Sequence, residues 1–330
     1  MPDILILTEK DLRACVALDG GTVDIVAEAF ATLSGGKAVM PPVLRMDMAE
    51  RNGEVDVKTA YVPGLDGFAV KTSPGFFDNP KKGLATTSGL MTVHGVETGH
   101  VQAVLLDNGY LTDVRTAAAG AVAARHLAPE AMDTLGIVGT GMQARLQAQA
   151  FCLERRVDRV LVWGRDPDAC AKAAKDIQRL TGRESAPAAS LAGLARQSQA
   201  IVTATAARKP LIDTGLIHSG LHITAMGSDS EHKNEIAPEV VAEADLFVCD
   251  HHQQSARLGE LHHAIGAGLV PEDMEVTELG AIVAGTKPGR TDADQITLCD
   301  LTGTGVQDTA IAVHALKVAR DKGFGTVIAN

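Results

Sequence analysis

The chain has 330 residues, 45% of them hydrophobic, which is enough to bury two ordinary cores, and it carries a formal net charge of -11. An acidic chain without a basic run repels phosphate polymers and anionic membrane surfaces, so nucleic acid and membrane are excluded as partners and small molecules are expected. Five scattered cysteines, Cys15, Cys152, Cys170, Cys249 and Cys299, form no C-x-x-C pair; they predict neither a zinc site nor a disulfide framework and fit a reduced cytoplasm.

In chain order, no window reaches the roughly eighteen apolar residues of a membrane span, and nothing marks the chain for export. Residues 8 to 35 predict two helical stretches separated by Leu18-Asp19-Gly20-Gly21, with Thr8 as an N-cap. The period then changes to two over 42–48, 54–62 and 67–73, and residues 89–107 read as a hairpin turning at Glu97-Thr98-Gly99. These segments make a mostly antiparallel sheet. An alanine-rich helix follows over 111–128, with Thr112 or Asp113 placed to cap it and Pro129 beyond its end, and is expected to bridge two domains. From 134 onward apolar strands alternate with helices (135–139, 159–164, 199–205, 221–227, 245–250 and 296–300), which indicates a parallel sheet covered on both faces. A last helix, near 305 to 322, can close either domain.

The first chemical signal is the glycine turn Gly139-Thr140-Gly141-Met142-Gln143-Ala144. Gly139 permits a tight turn, Gly141 lets the backbone approach a pyrophosphate, and Ala144 allows close helix packing. The free N–H groups of the following helix suit phosphate. At the end of the next strand, where an acid would hold the ribose of NAD, stand Gly164 and Arg165; a guanidinium in place of a carboxylate favours NADP over NAD. Asp166 can reach a ribose or simply cap the next helix. Thr203, Ala204, Thr205, Met226 and Gly227, at strand ends, complete the expected cofactor contacts, and Thr304 and Gly305 are candidates for the nicotinamide end or a plain strand-to-helix connection.

The segment before this turn places cations inside strands. Arg45, Lys58 and Lys71 fall on alternating segments, with Lys71 opposite Phe68 and Val70 and Lys58 opposite Val57 and Thr59, so three cations converge on one sheet face. Arg115 adds a fourth, placed by the predicted boundary in the first turn of its helix, where the dipole disfavours a cation unless an anion intervenes. Together they suggest a carboxylate clamp; singly, each is better explained as part of a solvated strand face, with Arg45 paired to Asp47 or Asp56.

The stretches 40–48, 68–86, 112–128, 137–144, 223–236, 278–290 and 303–312 resemble the ornithine cyclodeaminase and mu-crystallin family of NAD(P)-dependent enzymes, most closely its ectoine-utilisation branch. The resemblance implies a Rossmann dinucleotide-binding domain over 126–305 and an α+β substrate-binding and dimerisation domain built from 1–125 and 306–330, in a cytoplasmic homodimer. It also implies that Arg45, Lys71 and Arg115 grip a substrate α-carboxylate, that Thr86 lies near cofactor and substrate, and that Asp229 is the acid/base carboxylate. On its own terms Asp229 follows a strand at the carboxyl edge of the parallel sheet, where it can shuttle a proton to an amine nitrogen or form a polar turn.

One departure bears on the reaction. Thirteen positions before Lys71 the family pattern has an acid suited to a side-chain ammonium, whereas this chain has Lys58; a slip of register onto Glu54 or Asp56 would restore an acid. The favoured reading is NAD(P)H-dependent reduction of a small 2-imino acid, with a dicarboxylic imine such as iminosuccinate or a diamino acid intermediate fitting Lys58 better than ornithine. In this reading Asp229 and Lys71 are catalytic. The alternatives are a redox-neutral cyclodeaminase and a non-catalytic nucleotide-binding protein. The pairs His251-His252 and His262-His263 lack metal-ligand spacing and no metal is expected. Met40, Met46, Met48, Met91 and Met226 read as core or interface filling.

Overall fold

A computed structural model describes residues 3–329. The chain opens with strand β1 (Ile4–Thr8) and helices α1 (Glu9–Cys15) and α2 (Gly20–Ser34), followed by strands β2 (Leu44–Met48), β3 (Gly53–Ala60), β4 (Gly67–Phe76), β5 (Leu90–Gly95) and β6 (Val101–Leu106). Thr8 caps α1 as expected, in a reciprocal capping box with Asp11. Helix α3 (Tyr110–Leu127) then carries the chain from one compact unit, residues 1–115 and 304–330, into a second, residues 116–303.

The second unit holds strands β7 (Ala131–Val138), β8 (Arg156–Trp163), β9 (Glu184–Pro187), β10 (Ala200–Thr203), β11 (Arg208–Ile212), β12 (His222–Ala225), β13 (Asn234–Ile236), β14 (Leu246–Cys249), β15 (Thr277–Glu278) and β16 (Thr297–Asp300). Its helices are α4 (Met142–Glu154), α5 (Pro167–Thr181), α6 (Leu191–Gln197), α7 (Pro238–Glu243), α8 (His252–Leu258), α9 (Glu260–Gly266) and α10 (Leu279–Val283). Helix α11 (Gly305–Lys322) and strand β17 (Thr326–Ile328) return to the first unit.

The first unit is built on a seven-stranded sheet, ordered β17-β1-β6-β5-β4-β3-β2, antiparallel except where β1 lies parallel to β6. Helix α11 contributes Ile311, Ala312, Ala315 and Leu316 to the core against Leu7, Ala69, Met91, Val93 and Leu105. Two hydrogen bonds fix its height on the sheet: the Thr309 hydroxyl donates to the Ala60 carbonyl (2.8 Å) and accepts from the Ala69 amide (3.1 Å). The second unit is an eight-stranded parallel sheet, ordered β15-β14-β16-β12-β10-β7-β8-β9, which makes it a Rossmann-type domain. Successive residues of its strands serve opposite cores, Ile137 and Val160 on one face and Val138 and Leu161 on the other, as the near-continuous apolar runs require. Among the described residues no helix is long and apolar enough to cross a membrane.

Two expectations are corrected. Helix α3 begins at Tyr110, so neither Thr112 nor Asp113 caps it; Asp107 does, accepting the Leu111 amide at 2.9 Å. Arg115 is therefore beyond the first turn, and the dipole argument for an anion at that residue lapses. Strands β1, β9, β15 and β17 carry no clear alternation and are supplied by their neighbours.

Gly305 opens α11 so close to β3 that a Cβ would run into the Thr59 backbone. Gly305→Ala is expected to lower stability by about 1–3 kcal/mol, read as a shift in urea midpoint; an unchanged midpoint would contradict this packing.

Candidate active site

In the first unit the alternation of β3 and β4 places the expected cations on one face. Asp56, Lys58 and Ala60 point with Ala69 and Lys71 toward α11, while Val57, Thr59, Phe68 and Val70 take the other side. Lys58 pairs directly with Lys71 across the strands, Asp56 with Ser73 and Glu54 with Gly75, so no register slip puts an acid opposite Lys71.

The residue that gathers these cations is Asp308, on the first turn of α11 and fully buried. Its carboxylate lies 2.9 Å from Lys71 Nζ and 2.9 Å from Arg115 Nε. Arg115 Nη1 also donates to the Gln307 side-chain oxygen (3.0 Å), which in turn accepts the Thr304 amide (2.9 Å). Lys71, Arg115 and Lys58 are 2%, 5% and 7% exposed. Burial and the neighbouring Arg115 guanidinium push the Lys71 ammonium down to about 7, against the pull of Asp308. Burial alone would raise the Asp308 carboxyl, but Arg115, Lys71 and Lys58 together hold it below its ordinary value.

Arg45 belongs to a neighbouring group on this sheet, paired with Glu54, with Asp47 at 3.0 Å and with Asp56 at 3.5 Å. Thr86 lies in the loop before β5, where its carbonyl accepts the Phe76 amide. Thr304 and Gly305 are buried at the start of α11, and the space beside Gly305 is filled by β3.

In the second unit the glycine turn has the geometry a nucleotide needs. Gly139 adopts φ +130°, and a Cβ there would lie 2.6 Å from the Ala204 carbonyl oxygen. Gly141 is the N-cap of α4 without a side-chain cap, and nothing lies within 4 Å of where its Cβ would stand, so the approach to the helix amides past Met142 and Gln143 is open. Ala144 is buried. Arg145 braces the turn through the carbonyls of Thr140 (2.5 Å) and Gly141 (2.9 Å). Gly164 is a glycine because Thr140 stands 2.8 Å from its would-be Cβ. Arg165 is exposed, and Asp166 caps α5 through the Asp168 and Ala169 amides.

At the carboxyl edge of the same sheet, Thr203 and Thr205 turn their hydroxyls to Glu235, Met226 donates its amide to the Thr203 carbonyl, and Gly227 donates its amide to Glu235. Asp229 follows, half-buried, with Oδ1 2.6 Å from Lys233 Nζ. Among the described residues no group of His, Cys, Asp and Glu is placed to hold a metal ion.

Residues 3–323 match the profile of the ornithine cyclodeaminase/mu-crystallin family. The chain belongs to that family. A protein of Rhizobium meliloti (strain 1021) with a provisional dehydrogenase name is 52% identical over 99% of each chain. The iminosuccinate reductase of Paracoccus denitrificans (strain Pd 1222) is 34% identical over 97% of this chain and 98% of its own. The solved structure of Thermococcus litoralis Delta(1)-pyrroline-2-carboxylate reductase with NADH and L-proline covers 98% of this chain and 100% of its own, with a TM-score of 0.93 and 29% identity. With reductases, dehydrogenases and cyclodeaminases as relatives, this member of the ornithine cyclodeaminase/mu-crystallin family is an enzyme, against the non-catalytic reading.

Sequence reasoning missed Asp308, although it lies in a glycine-led segment that drew notice, because an acid in a helix's first turn looks like routine dipole compensation. The available signal was that the acids on the face of Lys58 and Lys71, Asp47, Glu54 and Asp56, all stand beside Arg45, leaving the partner of Lys71 to come from elsewhere.

Lys71 keeps its ordinary value near 10.5 when unfolded and about 7 when folded, so between these the unfolded chain binds more protons and stability rises with pH. Lys71→Met is expected to remove that contribution, so the variant's urea stability relative to the wild type falls between about pH 7 and 10; parallel profiles would refute the shift.

Proposed function

We propose that this protein reduces a small 2-imino acid to an amino acid with a reduced nicotinamide dinucleotide. The observation that carries the reading is the buried cluster in the first unit, where Lys71 and Arg115 meet at the Asp308 carboxylate with Lys58 close by. A substrate carboxylate would compete with Asp308 for Lys71 and Arg115.

The open turn at Gly139, Thr140 and Gly141 fits a dinucleotide pyrophosphate, with Met142, Gln143 and Ala144 in the first turn of α4 beneath it. When bound, the cofactor supplies a hydride for the imine carbon. Lys71 and Arg115 hold and orient the substrate carboxylate, and a lysine near 7 can keep or release a proton at neutral pH. Asp229, taking up a proton from solvent in each cycle, delivers it directly or through a water to the imine nitrogen, and Lys233, 2.6 Å away, orients its carboxyl group. NADP(H) is preferred over NAD(H), because Arg165 is exposed and available to a 2′-phosphate while Asp166 is spent as a helix cap.

Lys58, opposite Lys71, favours a dicarboxylic imine such as iminosuccinate. A cyclodeaminase would need an acid there for the second amine, and the nearest acids on that face, Glu54 and Asp56, are engaged with Arg45. Consumption of one NADPH or NADH per product, with oxaloacetate and excess ammonium as the leading pair in a panel of keto acids, is the expected result. Ammonia release from ornithine without net change in nicotinamide absorbance would establish the cyclodeaminase instead.

The first unit is also proposed to dimerise with a second copy through the sheet face turned away from α11. Leu44 and Met46 are 62% and 51% exposed there, and Leu44, Val57, Thr72 and Leu90 lie in line across four strands. Sedimentation velocity is expected to show a dimer that becomes monomeric in a Leu44→Glu/Met46→Glu variant; a monomeric wild type would exclude this interface.

A further inference from the structure

The loop that follows β12 carries Asp229, and the residues just before it are held in an unusual way. Glu235, on β13, is fully buried, and each of its carboxylate oxygens receives two neutral donors. Oε1 accepts the Thr205 amide (2.7 Å) and hydroxyl (2.6 Å), and Oε2 accepts the Thr203 hydroxyl (2.7 Å) and the Gly227 amide (2.8 Å). One carboxylate thus ties together the carboxyl ends of β10 and β12, which are neighbours in the parallel sheet.

The tie is tight enough to dictate sequence. A Cβ on Gly227 would collide with the Glu235 carboxyl group and the Thr205 carbonyl oxygen, so glycine is required two residues before Asp229. The next residue is pinned by a second buried acid: the Ser228 hydroxyl donates to Glu260 Oε1 at 2.5 Å. Glu260 in turn holds β13 through the amides of Glu235 (2.9 Å) and Ile236 (3.2 Å) and the Asn234 side chain (2.7 Å). Burial is the main influence on Glu235 and, with Glu260 nearby, pushes it up to about 7 although the Thr205 and Thr203 hydrogen bonds pull the other way. The fold keeps this carboxylate dry at a cost, and its four donors all lie at the last residue of β10 or on the loops that follow β10 and β12.

We infer that Glu235 is a positioning residue for the proposed acid/base carboxylate: with Glu260 behind it, it fixes Gly227 and Ser228 so that Asp229 is presented in one orientation. The inference rests on the proposed role of Asp229. An acceptor with two oxygens is essential to it. In Glu235→Gln the amide nitrogen would face either the Gly227 amide or the Thr205 amide, and neither can reverse its hydrogen bond as a hydroxyl can.

Two measurements on the full chain test this. In hydrogen exchange, peptides covering 203–205 and 226–230 are expected to exchange roughly tenfold faster in Glu235→Gln, with β7 and β8 unchanged. Unchanged protection of these peptides would overturn the inference without reference to any substrate. In steady-state turnover of oxaloacetate and ammonium, Glu235→Gln is expected to lower kcat about tenfold or more in the wild-type background and less than about twofold in Asp229→Asn, with NADH affinity by fluorescence held within about threefold. Equal losses in both backgrounds would show that Glu235 does not act through Asp229. Full turnover in Asp229→Asn alone would remove the acid/base assignment, and this inference with it. Ser228→Ala, which releases only the second anchor, gives the same comparison if Glu235→Gln does not fold.

Discussion

Taking the Asp308 carboxylate out of water would cost several kcal/mol if it stood alone. The first unit offsets that cost by bringing Lys71 and Arg115 to 2.9 Å from it, each from a different element. The geometry leaves little freedom. Lys71 must sit on the inner face of β4, Arg115 must come from the second turn of α3, and α11 must begin close to β3. That closeness is what makes Gly305 a glycine and lets Thr309 bridge Ala60 and Ala69. An ion cluster of this kind is weak as a source of stability but strong as a specifier, because moving any one element leaves a buried charge without its partner.

The second unit buries carboxylates by a different device. Glu235 and Glu260 are surrounded by backbone amides, hydroxyls and a side-chain amide, and Asp300 continues the pattern with the Glu260 amide at 2.9 Å and the Ser255 hydroxyl. Asp250 accepts the Gly303 amide (2.7 Å) and the Thr302 hydroxyl (2.9 Å). These acids lie at or beyond the carboxyl ends of the strands, the edge at which α/β sheets bind ligands. Loops there would otherwise be the least constrained part of the domain, and buried acceptors give them a fixed conformation without adding net positive charge.

Much of this was legible beforehand. Period-two patterning fixed β2 to β6 and the shared face of Lys58 and Lys71, and the apolar runs fixed the parallel sheet, because both signals follow from where side chains must point. The glycine turn was legible because only glycine tolerates the backbone that Gly139 adopts. Three things were not. The start of α3 depended on Asp107, which looked like the end of a strand. The partners of the cations depended on Asp308, 237 residues beyond Lys71 along the chain and brought to it only by the fold. The network around Asp229 depended on Glu235 and Glu260, which no pattern in the sequence singles out; nothing local in a sequence distinguishes an acid with four donors from one facing water.

The order of segments along the chain has a consequence for how the molecule comes into being. Residues 116–303 form one continuous unit, whereas the first unit needs residues 304–330 to supply α11. Until those residues have been synthesised, the sheet's inner face, with Met91, Val93 and Leu105, has no α11 to cover it, and Lys71 and Arg115 have no Asp308 between them. A nascent chain can therefore complete the parallel-sheet unit first, while the strands translated before that unit wait for α11, translated after it. That long wait, across nearly the whole sequence, is the entropic and kinetic cost of placing the counter-ion of the cation cluster so far from the strands it serves.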